Sequence, residues 1–270
     1  MILSFAVEVV QRAVPKWLAP YAAGDLYGWL THSSRPLRNL EAPFGGLPLI
    51  VSFGPRVRVS GLRGAGGGSF GSFLAGLHES WVYTESVGES AGVQLNLNPL
   101  GAYALLGRPM HELANRTVAL EDLLGPEGRR LGGRLGAAPS WDVRFALFGA
   151  ALRARFALEI RASAEVAWAW RRLEASAGRV QIGELADTIG CSRKHLVAQF
   201  RAQIGLPPKL LARILRFERA RRLLERPGAR ALEVALAAGY ADQPHLIREF
   251  RELAGTTPVT FVQSASARAS

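Results

Sequence analysis

Residues 182–208, IGELADTIGCSRKHLVAQFRAQIGLPP, and residues 231–258, ALEVALAAGYADQPHLIREFRELAGTTP, are two versions of one pattern. Glu184, Leu185, Ala186 and Gly190 correspond to Glu233, Val234, Ala235 and Gly239 at an offset of 49 residues. His195, Leu196, Phe200, Arg201, Gly205 and Pro208 correspond to His245, Leu246, Phe250, Arg251, Gly255 and Pro258 at an offset of 50. The one-residue change falls in the turn, where an insertion costs least. Each copy reads as a short helix with a small Ala where a partner crosses closely, a Gly at the turn, and a second amphipathic helix. That is a helix-turn-helix.

The second helix of each copy has two distinct faces. Leu196, Phe200 and Ile204 share one side, so Lys194, Ala198 and Arg201 point away from the core and Val197 lies on the flank. In the second copy Leu246 and Phe250 point inward and Pro244, Arg248 and Arg251 outward, with Arg193, Gln243 and Ile247 beside these faces. A basic exposed face on a second helix suits the major groove, where Arg and Lys reach phosphates or guanine edges and small side chains leave room for thymine methyls. Between the copies, PPKLLARILRFERARRLLERPG reads as a linker helix with Ile214, Phe217, Ala220 and Leu224 as its buried stripe, ended by Pro227 and Gly228. From Lys209 to Arg226 it would span about 27 Å, letting two recognition helices reach major-groove segments about 34 Å apart.

Charge follows the same division. Residues 1–152 carry 13 Lys+Arg against 11 Asp+Glu, and residues 153–270 carry 20 against 11. Of the 33 basic residues only Lys16, Lys194 and Lys209 are lysine, so a G+C-rich coding sequence accounts for the abundance of arginine but not for its crowding into one half. A polyanionic partner for that half, nucleic acid or an anionic membrane surface, follows. The membrane surface is disfavoured because the linker's basic residues surround an apolar stripe needed for packing.

Residues 165–265 resemble the DNA-binding domain of the AraC/XylS family of bacterial transcriptional regulators. The second-copy pattern of that family is matched by Gly239-Tyr240, Asp242, His245-Leu246, Arg248, Phe250-Arg251, Gly255 and Pro258. The resemblance implies that Lys194, Val197, Ala198, Gln243, Pro244, Ile247 and Arg248 face the groove. Pro244 stands where Ser is common in the family, and Ala198 where a longer polar residue is frequent. The DNA-facing set is therefore Arg193, Lys194, Val197, Ala198 and Arg201 in the first unit, with Gln243, Pro244, Ile247, Arg248 and Arg251 in the second.

The first hundred residues read as β structure: LPLIVSF (47–53), VRVSGL (57–62), a glycine-rich GAGGGSFGS turn (64–72), FLAGL, VYTES and GVQLNLNP. In the last of these Val93, Leu95 and Leu97 alternate with Gln94, Asn96 and Asn98, and Asn98 can cap a helix that has Pro99 at its first position. LGAYALLG, MHELA and LEDLLG read as short helices. A longer helix carries the stripe Trp141, Phe145, Phe148, Leu152 and Phe156, which suits either an arm closing the sensor core or a dimerisation surface. The opening MILSFAVEVV is a strand or a poorly ordered start; it has no basic n-region or cleavage site. Through GVQLNLNPLGAYALLGRPMHELANRTVALEDLLG this part is similar to the degenerate cupin-like sensor domains of the same family, which bind an effector or a partner subunit.

Other chemistries find little support. GAGGGSFGS lacks the GK[ST] ending of a phosphate loop. His32, His78 and His111 lack HxH or HxxxH spacing and read as surface or singly hydrogen-bonded side chains, so neither a metal nor another cofactor is expected. The single cysteine, Cys191, excludes an intrachain disulfide and reads as a small turn residue beside Ser192, a candidate N-cap. No run approaches the roughly 18 apolar residues of a membrane span. The expected fold is α+β: a cupin-like β domain over residues 1–125, a helical arm over 126–160, and an all-α domain over 161–265 with two helix-turn-helix units. The expected role is a cytoplasmic, non-enzymatic, sequence-specific regulator of transcription that binds double-stranded DNA. A small-molecule effector, RNA polymerase and a second copy of the chain are open as further partners. The alternative is a small-molecule-binding or metal-dependent cupin-like enzyme fused to a helical domain.

Overall fold

A computed structural model describes residues 5–61, 67–158 and 160–269. The first half is an antiparallel sheet of β1 (Phe5–Arg12), β2 (Ala22–Glu41), β3 (Leu47–Ser52), β4 (Val57–Gly61), β5 (Gly68–Phe70), β6 (Phe73–Ala75), β7 (Val82–Leu97) and β8 (Thr117–Ala119). Its main path runs β1-β2-β7-β3-β6-β8, with β4 pairing to β7 and β5 to β4. Alternation along β7 sets its two faces: Val93, Leu95 and Leu97 are buried, while Gln94 and Asn96 line a cavity on the other side.

Three strand expectations need correction. VYTES and GVQLNLNP are parts of one 16-residue strand, β7, because β2 runs beside it for nearly its whole length. The glycine-rich stretch contains the short strand β5, held by the pairs Val57↔Phe70, Arg58↔Ser69 and Val59↔Gly68; residues 62–66 lie outside the described residues. The apolar start is a strand from Phe5 onward, zipped to β2 from Phe5↔Ser33 to Arg12↔Leu26, and residues 1–4 lie outside the described residues.

The helices are α1 (Pro99–Leu106), α2 (Leu120–Leu124), α3 (Pro126–Gly136), α4 (Trp141–Phe156), α5 (Ala164–Ala175), α6 (Ile182–Ile189), α7 (Arg193–Gln203), α8 (Pro208–Leu224), α9 (Ala231–Ala238), α10 (Gln243–Ala254) and α11 (Pro258–Ala269). Asn98 caps α1 as its sequence suggests, its Oδ1 accepting from Gly101 N at 2.8 Å with Pro99 behind it. MHELA forms only a single 3-10 turn at Met110–Glu112.

The aromatic stripe of α4 closes the sheet. Trp141 Nε1 donates to Glu8 Oε1 at 2.8 Å, and the indole lies where a Cβ on Gly28 would stand. Phe148 is fully buried, and Phe156 stacks on Tyr21 with ring centroids 4.4 Å apart. Fully burying an aromatic side chain such as Phe148 is worth about 1.5–3 kcal/mol, so this stripe contributes to closing the core of the strand half.

Two cores result. The larger is continuous from the sheet through α1 and α4 into α5, α6 and α7, and joins Leu105 and Met110 to Phe200, Ile204 and Leu206. The smaller gathers Phe217, Tyr240, Leu246, Phe250, Leu253 and Phe261 from α8, α10, α11 and the turn after α9, with Leu40 and Ala42 of the strand half packed against it.

Candidate nucleic-acid interface

Each repeat folds as its residues dictate. Helix α6 ends on Gly190 at φ 76° and α9 on Gly239 at φ 90°, left-handed turns that admit glycine without steric cost. The second helix then starts on a side-chain cap. Ser192 Oγ accepts from His195 N at 3.1 Å, and Asp242 Oδ1 accepts from His245 N at 2.7 Å. Such caps are worth about 1 kcal/mol each and fix where α7 and α10 begin.

Burial separates the two faces of each helix. On α7, Leu196, Phe200 and Gln203 are buried; Arg193, Lys194, Ala198 and Arg201 are exposed and Val197 is half-buried. On α10, Leu246, Glu249, Phe250 and Leu253 are buried; Gln243, Pro244, Arg248 and Arg251 are exposed and Ile247 is half-buried. All ten residues singled out in the sequence therefore reach the surface. The Arg193 guanidinium lies against Gly183 of α6, so it sits at the edge of the α7 face. Among the described residues none forms an ion pair with Lys194, Arg201, Arg248 or Arg251.

The linker helix uses its arginines differently. Arg213 Nε donates to both carboxylate oxygens of Glu249, at 2.7 and 2.9 Å, and its Nη2 reaches Glu252. Burial alone would lower the pKa of this guanidinium, but the hydrogen bonds to Glu249 and Glu252 together with their negative charges outweigh it and raise the pKa. Arg216 donates to Gly178 O at 2.9 Å and Arg219 to Ala237 O at 3.0 Å. Arg221 faces Glu225 at 3.5 Å, and Arg222 faces Glu218 at 3.8 Å. Arg213, Arg216 and Arg219 thus hold helices together, whereas among the described residues the outward Lys194, Arg201, Arg248 and Arg251 of α7 and α10 make no ion pair. Sequence periodicity marked the outward arginines but missed the clamp by Arg213, whose partners lie 36 and 39 residues away.

The second-repeat motif resolves into structural duties. Tyr240 is buried against His245 with centroids 5.1 Å apart, and burial raises its hydroxyl pKa. Leu246 and Phe250 fill the small core, Gly255 caps α10 at φ 65°, and Pro258 starts α11. Arg248 and Arg251 alone among these motif residues project from α10 without a partner. A family model described as a helix-turn-helix domain matches residues 185–264. This segment is an AraC-type helix-turn-helix domain.

The chain is similar to a curated protein and to several solved ones. The Uncharacterized HTH-type transcriptional regulator YbfI of Bacillus subtilis (strain 168) is 33% identical over 70 residues, which are 26% of this chain and 25% of that protein. The chain thus spans about a quarter of the length of this curated relative. ToxT from Vibrio cholerae has a similar fold along 96% of this chain and 98% of its own, with a TM-score of 0.51 and 10% identity. A transcriptional regulator from Chromobacterium violaceum, described as containing an AraC-type DNA-binding domain, is 26% identical over 37% of this chain and 89% of its own, with a TM-score of 0.34. The ToxT likeness shows the two-part α+β arrangement of strands followed by helices. No helix among the described residues is long and apolar enough to cross a membrane.

Proposed function

We propose that this chain is a sequence-specific regulator of transcription, not an enzyme, that places α7 and α10 in successive major-groove segments of double-stranded DNA. The observation carrying this reading is the pair of exposed basic faces on α7 and α10, the second helices of two repeats joined through a 17-residue helix, where Lys194, Arg201, Arg248 and Arg251 make no ion pair among the described residues. That helix is about 26 Å long, commensurate with the roughly 34 Å between major-groove segments on one side of a duplex. Lys194, Val197 and Ala198 face the groove from α7, and Gln243, Pro244, Ile247 and Arg248 from α10. Arg193, Arg201 and Arg251 hold phosphates at the margins. We assign residues 1–125 to a sensor, 126–160 to a helical arm and 161–265 to DNA binding. The change from strands to helices supports this division, and a cavity within the sheet supports response to a small-molecule effector. The setting is the cytoplasm, where the DNA is.

Selection of fragments from the source genome by the purified full chain tests the reading. Affinity should fall steeply with salt: three phosphate contacts give a log–log slope of about −2.7. Retention of no fragment, or binding indifferent to salt, would overturn it.

A further inference from the structure

The sheet curls around a cavity of about 580 Å3, a size that suits a small organic ligand. Trp29, Ile50, Val59 and Phe73 give it apolar walls, and Ser52, Gln94, Asn96 and Thr117 add hydrogen-bonding groups. His78 also lines it, and its Nε2 is buried without a hydrogen-bond partner. This departs from the surface or singly bonded role its sequence suggests. Burial lowers the His78 pKa to about 4, so the ring is neutral near pH 7. The charged wall residues are occupied: Glu41 accepts from Thr84 Oγ1 at 3.2 Å, and Arg221 faces Glu225 at 3.5 Å. No cation in the wall is left to meet an anion. The lining therefore suits a neutral, largely apolar molecule with one or two hydrogen-bonding groups.

Three wall residues belong to the helical half, and all three lie in or beside the smaller core. Arg221 and Glu225 sit at the end of α8, and Phe261 is on α11. The Phe261 ring is 6% exposed and packs 5.8 Å from Phe250 and 6.3 Å from Phe217. One side chain is thus both cavity wall and neighbour of the central apolar residue of α10. A second support of α10 adjoins a wall residue in sequence. Trp81, next to the wall residue Val82, lies against Gly255 at the end of α10, where a Cβ would collide with the indole. Helix α7 has no such connection: no residue of α7 lines the cavity, and its inward side chains belong to the larger core.

Resting on the reading of the chain as an effector-responsive DNA-binding regulator, we propose that a neutral, largely apolar ligand in this cavity repositions the second recognition helix and not the first, with Phe261 transmitting the change. A ligand that presses on Phe261 alters the packing of Phe250 and hence the angle at which Arg248 is offered to DNA. The first unit, continuous with the sensor, stays where it is. Coupling free energies between sites are commonly 1–3 kcal/mol, so occupancy should change affinity by about 5- to 150-fold.

The test uses the full chain with N-phenyl-1-naphthylamine, a neutral probe that fluoresces in apolar surroundings, and the anionic 1-anilinonaphthalene-8-sulfonate for comparison. Saturable enhancement with the neutral probe is expected; preference for the anionic one, or no binding, overturns the ligand class. Hydrogen exchange without DNA should change in α10 and α11 and not in α7 when the neutral probe binds. On a selected fragment, the hydroxyl-radical footprint should change only in the half-site whose protection Arg248→Ala weakens. Phe261→Leu, with Phe261→Met as a second variant of similar bulk, should retain the probe and lose both responses. Equal responses in α7 and α10, no response in α10, or Phe261 variants that respond like the parent would overturn the proposal. Because the exchange measurement needs no DNA, its outcome is independent of whether the chain retains a fragment.

Discussion

Truncating Phe250 should unfold the second helix-turn-helix while leaving the first in place. Phe250 is fully buried, with its ring 4.7 Å from Phe217 and 5.8 Å from Phe261. Phe→Ala at such a site costs about 3–5 kcal/mol. The smaller core has 11 buried residues against 34 in the larger, and four of the 11 are alanines, so it cannot absorb a loss of that size. Whole domains are held by only about 5–15 kcal/mol, and local units by less. Hydrogen exchange followed by mass spectrometry on Phe250→Ala should show lost protection in α9, α10 and α11, with α6 and α7 still protected. Phe200→Ala carries the same truncation in the larger core and should instead lower the melting temperature of the main transition. If Phe250→Ala kept protected amides and its circular dichroism while losing DNA affinity, the faces assigned to α10 would be inverted. If α7 and α10 lost protection together, the division into two cores would be wrong.

Arg248→Ala should lose about 1–3 kcal/mol at one base pair and relax preference there, as expected for a guanine contact. Arg201→Ala should weaken all sequences alike and reduce the salt slope by about 1; equal, sequence-independent losses for both variants would remove Arg248 from base readout. His78 gives a pH dependence. Its pKa is lowered from 6.5 to about 4 in the folded chain, so the folded state favours the neutral ring. The resulting stability is complete above pH 6.5 and is lost as pH falls toward 4, amounting to about 2 kcal/mol by pH 5. Urea unfolding of the parent should therefore weaken by that much more than His78→Phe between pH 7 and pH 5, and equal falls would contradict it.

The helical half was legible because its constraints are local. A buried side chain four residues from the next, a glycine at a left-handed turn and a cap three residues from the N–H that donates to it all lie within one window of sequence. The strand half was legible only where alternation was clean, as at Val93, Leu95 and Leu97. Strand β2, AAGDLYGWLTHSSRPLRNLE, carries Gly24, Gly28 and Pro36, which look like loop punctuation. The sheet accommodates two of them in register shifts, between Ala22 and Leu26 and between Ser33 and Leu37. Pro36 falls in the second, where a missing N–H breaks no ladder bond. Gly28 makes room for Trp141, more than a hundred residues away. The cavity and the double role of Phe261 depend on contacts between distant segments, which periodicity does not carry.

Footprinting on a genome-selected fragment tests the central claim most directly. Methylation interference on the full-length protein should reveal two clusters of major-groove contacts about 10 base pairs apart on one face of the duplex, one weakened by Lys194→Ala and the other by Arg248→Ala. A single cluster, or two clusters that both answer to one of these variants, would contradict the placement of α7 and α10 in successive groove segments.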